Sequence, residues 1–191
     1  ELIRRNLQDK GDWPSGIVVD LWGSATMRTA GEEFAMALHL LGVKPFWTTG
    51  TERVSGFEIL PLALLDRPRI DVTLRVSGLF RDVFPTLSTL FQQAIESLRE
   101  RDECAEFNPY ISIGDDDTAR IFGPAPGSYG LKFDGAADQF DEVGRKAAAL
   151  AWISASEYSV NGDDIKLNKE ALLERIKKAD SFVHLQDMAE T

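Results

Sequence analysis

Three stretches of the chain place unlike charges close together, at spacings that suit anion binding or proton transfer. The first runs from Gly23 to Gly31 and on into the residues behind it, with Arg28, Thr29, Glu32 and Glu33. An arginine beside the start of a helix attracts a carboxylate, because guanidinium offers paired donors and the first helical N–H groups are unsatisfied. Thr29-Ala30-Gly31-Glu32 also has the spacing of a capping box, in which threonine and glutamate satisfy each other's backbone amides. The second stretch is Ser77-Gly78-Leu79-Phe80-Arg81-Asp82-Val83-Phe84-Pro85. Here Asp82 is a candidate cap for the helix that follows, with Pro85 in its first turn. Arg81 contributes nothing to a cap, which leaves it for a carboxylate ligand. Phe80 and Phe84 suit either the core or a flat apolar ligand. The third stretch, Phe182 to Glu190, carries His184, Asp187 and Glu190. Imidazole with carboxylates suits first-row divalent ions. An isolated strand histidine also suits a hydrogen-bonded core or edge position. Glu32, Asp82 and His184 are the candidates for accepting a proton.

Other chemistries are disfavoured. No Gly-x-x-x-x-Gly-Lys-Ser/Thr loop is present, so the chain itself gives no reason to expect ATP binding. No Gly-x-Ser-x-Gly elbow occurs. Asp115-Asp116-Asp117 lacks the alternating ligands and later glutamate of a calcium loop, which favours a solvated turn. The net charge of −10 and the lack of a basic stripe argue against nucleic acid. The single cysteine, Cys104, excludes an internal disulfide and fits a reducing, cytoplasmic setting. No apolar run reaches the roughly 20 residues of a membrane span. Glu1 stands where a methionine would open a gene product, so both ends read as cuts in a longer chain.

The elements that must position these residues follow from periodicity. Gly16 to Leu21, GIVVDL, reads as a buried strand. Gly31 to Leu41 is helical, with Phe34, Ala35, Leu38 and Leu41 on one face and Gly42 as its C-cap. Lys44 to Thr48 and Gly56 to Leu60 are extended, and Pro61 to Leu65 is a helical turn. Arg69 to Val76 alternates apolar and polar residues, which marks a strand. Val83 to Arg101 is a long helix. Residues 16–101 therefore alternate strand and helix, predicting an α/β fold with an open, mostly parallel sheet of Rossmann-like or flavodoxin-like type. Residues 102–191 form a helical C-terminal extension. It comprises a glycine- and proline-rich loop, helices over 140–160 and 167–178, and a last strand at Ser181 to Leu185. In such sheets a ligand crevice lies outside the C-terminal strand ends, where the three charged stretches begin.

Four segments carry a family resemblance: LWGSATMRTAGEEFAMALHLLGVKP (21–45), RVSGFEILPLALLDRPRIDVTLRVSGLFRDVFP (53–85), ARIFGPAPGSYG (119–130) and ADSFVHLQDMAET (179–191). They strongly resemble the CobN-type large subunit of aerobic cobaltochelatase and, less closely, the large subunit of magnesium chelatase. The family subunit is far longer, so the chain is read as a fragment, inactive in isolation. The resemblance implies a subunit that binds a metal-free corrin-type tetrapyrrole, hydrogenobyrinic acid a,c-diamide, and Co(II) as substrate ion in cobalamin biosynthesis. ATP would be hydrolysed by separate AAA+ partner subunits. Related large subunits often carry an Arg-Lys-His segment after Asn-Phe near Asn108. Here Phe107-Asn108-Pro109-Tyr110-Ile111 lacks those cations, which favours the cobalt branch. On this reading Arg28, Arg81 and Arg120 hold substrate carboxylates, and Tyr129 stacks on the ring. Glu32, Asp82 or His184 accepts protons, while His184, Asp187 and Glu190 handle the metal. The alternatives are a magnesium chelatase, or a scaffold that docks the AAA+ partner.

Overall fold

A computed structural model describes residues 2–50, 54–114, 117–131 and 141–184. In chain order the elements are α1 (Leu2–Lys10), β1 (Gly16–Leu21), α2 (Gly23–Arg28), α3 (Glu32–Leu41), β2 (Val43–Trp47), β3 (Val54–Ile59), α4 (Leu62–Leu65), β4 (Asp71–Val76), α5 (Gly78–Val83), α6 (Pro85–Arg99), β5 (Ile121–Gly123), α7 (Glu142–Ser154), β6 (Tyr158–Asn161), β7 (Asp164–Leu167), α8 (Lys169–Lys178) and β8 (Ser181–His184).

The main sheet has the order β7-β6-β5-β4-β1-β8. Strands β8, β1, β4 and β5 are mutually parallel. The β6–β7 hairpin joins antiparallel. The expected α/β class with a mostly parallel sheet is therefore found, and both the 16–101 and the 102–191 portions supply strands to it. Strands β2 and β3 stand apart as a two-stranded antiparallel ribbon instead of continuing the parallel series. The chain between Gly42 and Leu60 is too short for the helix that a parallel crossover requires.

Alternation along β1 and β4 splits the sheet into two unlike faces. Ile17, Val19, Leu21, Val72, Leu74 and Val76 form the dry face, packed with Phe34 and Leu38 of α3 and with Phe91 and Ile95 of α6 in one apolar cluster. The other face presents Asp20, Thr73 and Arg75, all buried. Trp152 of α7 lies over that polar face, in ring contact with Phe182 and with the Arg75 guanidinium.

The Arg67-Pro68-Arg69 string has a local explanation. Gly42 ends α3 in the left-handed region, at φ 76°. The last carbonyls of that helix then accept from two arginines. Arg67 donates to His39 O at 2.6 Å and Leu40 O at 3.1 Å, and Arg69 donates to Leu41 O at 3.0 Å. Cations at this end complement the helix dipole. The Asn108 region is likewise structural. Asn108 Nδ2 donates to Leu98 O at 2.8 Å, and the buried Tyr110 hydroxyl donates to Ile70 O at 2.9 Å while accepting from the Val72 amide at 2.9 Å. Burial pushes the Tyr110 hydroxyl well above the usual tyrosine range.

The expected helix over 83–101 begins at Pro85, and residues 78–83, expected as loop, form a separate helix before it. Phe84 falls between them, with φ −120° and ψ 46°, and Pro85 opens the second. Proline favours a first helical position and disfavours helix for the residue before it.

Candidate active site

Parallel pairing makes β4, β1 and β8 finish together. Leu21 aligns with Val76, and Asp20 aligns with both Arg75 and His184. The segments after β1 and β4, together with residues 124–131 after β5, therefore emerge along one edge, and β8 ends at the same edge. This is the edge where a ligand crevice is expected in such a sheet.

The segments meet backbone to backbone. Ser77 Oγ accepts from the Phe80 amide at 3.1 Å, capping α5, and from the Gly23 amide at 3.1 Å. Ser77, not Asp82, is thus the capping residue in this loop. Arg81 is buried, and its guanidinium is committed within the protein. Nε and Nη2 reach the Asp82 carboxylate at 2.6 and 3.2 Å, and Nη1 donates to Pro124 O at 2.8 Å and Ala125 O at 3.0 Å. Tyr129 donates its hydroxyl to Asp82 Oδ2 at 2.6 Å. Arg81, Asp82 and Tyr129 therefore form a clasp between the post-β4 and post-β5 loops, with the Tyr129 ring left exposed.

The Arg81 hydrogen bonds, supported by the Tyr129 hydroxyl, hold the Asp82 carboxyl below the usual carboxylate range against the opposing effect of desolvation. A depressed folded-state pKa contributes stability that is present above the unfolded pKa, near 3.9, and lost as pH falls through the folded value. Asp82→Asn is expected to flatten the acid limb of a urea-midpoint-against-pH curve below about pH 4, with little change in shape at neutral pH. The Asp82 side chain is 38% exposed, so solvent screening keeps this effect modest. An unchanged acid limb would show that the clasp does not depend on the Asp82 charge.

The remaining expected residues fall as follows. Arg28 is exposed at the end of α2, a helix that packs on α5. Glu32 is exposed in the first turn of α3. The expected capping box does not form. Ala30 and Gly31 both take positive φ, 54° and 83°, and this tight turn makes Gly31 the N-cap. Thr29 Oγ1 instead lies 3.0 Å from Ala25 O and 2.7 Å from a Glu33 carboxylate oxygen. Arg120 does not join the crevice. It reaches back to Asp71, the first residue of β4, at 2.6 and 3.2 Å, and Arg175 approaches the same carboxylate at 3.1 Å. The side chain of Arg120 is 1% exposed, so it closes a buried charge cluster at the opposite strand ends. Asp187 and Glu190 lie outside the described residues. Among the described residues no cluster of three or more metal-type ligands is present.

His184 stands in a row the sequence reading missed. Its Nδ1 lies 3.2 Å from Asp20 Oδ2. Asp20 Oδ1 accepts from Arg75 Nη1 at 3.0 Å, and Oδ2 accepts from Trp22 Nε1 at 2.9 Å. Arg75 Nε donates to Ser156 Oγ at 2.9 Å, and its guanidinium sits 5.4 Å from the Trp22 ring centroid and 5.7 Å from that of Trp152. A cavity of about 730 Å³ opens beside the row, walled by Val18, Trp22, Trp152, Ile153 and Phe182, with Asp20 and His184 on its lining. Apolar walls with few polar groups are the usual makeup of a small-molecule site. A cleft of about 800 Å³ near Trp13, Arg67 and Phe107 lies instead toward the strand starts. The lining arginines Arg67 and Arg69 there are taken up by the carbonyls at the end of α3.

The missed residues left a signal. Asp20 is the only charge in GIVVDL, and a lone acid in a buried strand needs a partner. Aligning the three strand ends supplies Arg75 and His184.

The profile of the CobN/Magnesium Chelatase family matches residues 1–191. The chain is 39% identical to aerobic cobaltochelatase subunit CobN of Pseudomonas aeruginosa, covering 99% of this chain and 17% of the relative. It is 30% identical to chloroplastic magnesium-chelatase subunit ChlH of Oryza sativa subsp. japonica, over 85% of this chain and 12% of the relative. The catalytic subunit of cobaltochelatase from Mycobacterium tuberculosis superposes with a TM-score of 0.84 at 31% identity, covering 95% of this chain and 16% of that one. The chain thus spans less than a fifth of the length of these relatives.

Proposed function

The chain belongs to the CobN/magnesium chelatase family, and on that footing we propose that it is part of the tetrapyrrole- and metal-binding subunit of an ATP-dependent cobaltochelatase. The substrate ion is Co(II), the ring is hydrogenobyrinic acid a,c-diamide, and the pathway is that of cobalamin. ATP is hydrolysed by AAA+ partner subunits, in a cytoplasmic complex. The observation that carries the reading is the His184–Asp20 pair, at the C-terminal ends of β8 and β1, beside an aromatic-walled cavity that runs along the sheet face. Identity taken with coverage supports cobalt over magnesium, at 39% over 99% of the chain against 30% over 85% for the relatives compared.

Insertion of a divalent ion into a corrin ring displaces its one inner N–H proton and strips water from the ion. The lone pair of a neutral imidazole can accept such a proton or bind the incoming ion. His184 supplies that lone pair. Exposed Arg28 meets a peripheral carboxylate of the ring, and the exposed face of Tyr129 stacks on the macrocycle.

In the intact complex, Co(II) is expected to be inserted in preference to Mg(II). Arg28→Ala is expected to raise KM for the tetrapyrrole about tenfold with kcat changed less than about threefold, the mark of uniform binding lost. Insertion of Mg(II) alone would replace the cobalt reading with the magnesium one, and an unaltered KM would remove Arg28 from the site. A docking role toward the AAA+ subunits is favoured by one observation, the internal commitment of Arg81 and Asp82. A full-length subunit that keeps tetrapyrrole affinity after substitutions around the His184 cavity, yet no longer captures its partner, would decide for docking.

A further inference from the structure

We propose that Asp20 is a positioning residue that fixes which nitrogen of His184 carries the lone pair. The inference rests on the chelatase reading and adds to it a residue that works through His184.

Asp20 is 7% exposed and is met by three donors: Trp22 Nε1 at 2.9 Å, Arg75 Nη1 at 3.0 Å and His184 Nδ1 at 3.2 Å. Indole N–H and guanidinium N–H are donors only, and an ionised carboxylate is an acceptor only. The carboxylate therefore selects the imidazole tautomer with hydrogen on Nδ1. The lone pair of neutral His184 then resides on Nε2, to which no described residue hydrogen-bonds. His184 lines the aromatic cavity and is 37% exposed on its side chain, so this nitrogen is within reach of a ligand.

The carboxylate is itself held in place. It stands on β1, between β4 and the edge strand β8, and its neighbours in both ladders are the two residues it binds. Arg75, 1% exposed, is fixed in turn by Ser156 and by the indoles of Trp22 and Trp152. A flat guanidinium between two rings has little freedom to swing away. The row thus resembles the carboxylate–histidine pairs that orient an imidazole toward a metal or a reacting proton. When His184 accepts the inner proton of the corrin, the ring N–H bond breaks and its electron pair stays on the ring nitrogen. The Nε2–H bond forms, and the resulting imidazolium faces the Asp20 charge. If instead Nε2 binds Co(II) on its way to the ring, the same tautomer is required.

Asp20→Asn keeps the shape but introduces an amide NH2 among three donors, so at least one donor faces another. The tests use the full-length subunit with its ATPase partners. Asp20→Asn is expected to lower kcat for Co(II) insertion about 10- to 100-fold, with tetrapyrrole KM within about twofold. His184→Ala is expected to lower kcat at least as far, and the double variant no further, because both changes remove one function. Asp20→Glu retains the charge beside Arg75 and so protects folding, yet shifts the oxygens. It is expected to lower kcat at least fivefold at unchanged KM. A visible Co(II) absorption spectrum on the tetrapyrrole-free subunit that changes in both His184→Ala and Asp20→Asn identifies Nε2 as a metal ligand. A spectrum unchanged in both, with kcat still lowered, identifies it as the proton acceptor. Asp20→Asn with full kcat beside an impaired His184→Ala, or losses that multiply in the double variant, would overturn the role of Asp20 and leave the chelatase reading intact. Full activity in His184→Ala would overturn both the positioning role and the assignment of His184.

Discussion

Replacing Arg69 with methionine is expected to destabilise the chain by about 3–5 kcal/mol, the range for removing one partner of a buried ion pair. The Arg69 side chain is 0% exposed. Its Nε and Nη2 each reach Glu103 at 2.8 Å, Nη1 donates to Leu41 O at 3.0 Å and Gly42 O at 3.2 Å, and Nη2 donates to Leu60 O at 2.8 Å. One guanidinium therefore joins the entrance of β4 to the ends of α3 and β3 and to the loop after α6. Methionine fills much of the volume but leaves a carboxylate and several carbonyls without their donor. The effect should depend on pH in a stated direction. The hydrogen bond from Arg69 holds the Glu103 carboxyl below its usual range, against the opposing effect of its burial. The ion-pair contribution is therefore complete above the unfolded glutamate pKa, near 4.3, and lost as pH falls through the lower folded value. Urea unfolding at pH 7 should show the full loss, and the gap between wild type and Arg69→Met should narrow below about pH 4. A loss under about 1 kcal/mol at pH 7 would mean that these groups are solvated in place of Arg69. Adding Glu103→Leu should recover part of the loss, since the stranded carboxylate is then gone.

Much of this architecture could be read from the chain, for identifiable reasons. GIVVDL and the alternating 71–76 segment became β1 and β4 because an uninterrupted apolar run and a period of two have few other solutions. Gly42 ended α3 as expected because few residues tolerate its φ of 76°. The expected meeting of the segments after β1 and β4 also followed, since adjacent parallel strands must end on one edge, while the third expected segment, Gln186 to Thr191, lies outside the described residues. Other parts were concealed. The three-residue β5 sits inside a glycine- and proline-rich stretch and exists only through pairing with β4. The β6–β7 hairpin was missed, most of β6 being placed in the expected 140–160 helix and 161–166 left unassigned, although Asn161-Gly162 is a hairpin signal and Gly162 takes φ 58°. The fate of the arginines was the least legible. Nothing local separates Arg28, which is exposed, from Arg75, Arg81 and Arg120, which are buried with specific partners. Each has at least one partner from 43 to 81 residues away, and only tertiary pairing selects among those.

Gly78→Ala is expected to cost about 2–3 kcal/mol, although it adds one methyl group at the first position of a helix where alanine is the better helix former. The reason is the closeness of two backbones. A Cβ at residue 78 would stand 2.3 Å from Ser128 O and 3.0 Å from a carbon of the Tyr129 ring. Carbon and carbonyl oxygen do not approach much below about 3.3 Å, so the 128–129 backbone must withdraw by about 1 Å. It has little room to do so, because neighbouring Pro124 and Ala125 accept from Arg81 and the Tyr129 hydroxyl donates to Asp82. Displacing Ser128 therefore strains or breaks the Tyr129–Asp82 bond. This gives the substitution a signature beyond lost stability: its acid limb should be flattened part of the way toward that of Asp82→Asn, because the supporting Tyr129 bond is weakened while the larger contribution from Arg81 remains. Gly114→Ala is the control, with nothing within 4 Å of its added carbon and no positive φ, and it should change stability by less than about 0.5 kcal/mol. Urea titrations of the three variants across pH 3–7 decide the matter. If Gly78→Ala unfolds with the wild-type midpoint and acid limb, the post-β4 and post-β5 loops are not in backbone contact. The edge that carries Arg28, Tyr129 and His184 would then be a looser assembly than the packing at Gly23, Gly78 and Ser128 requires.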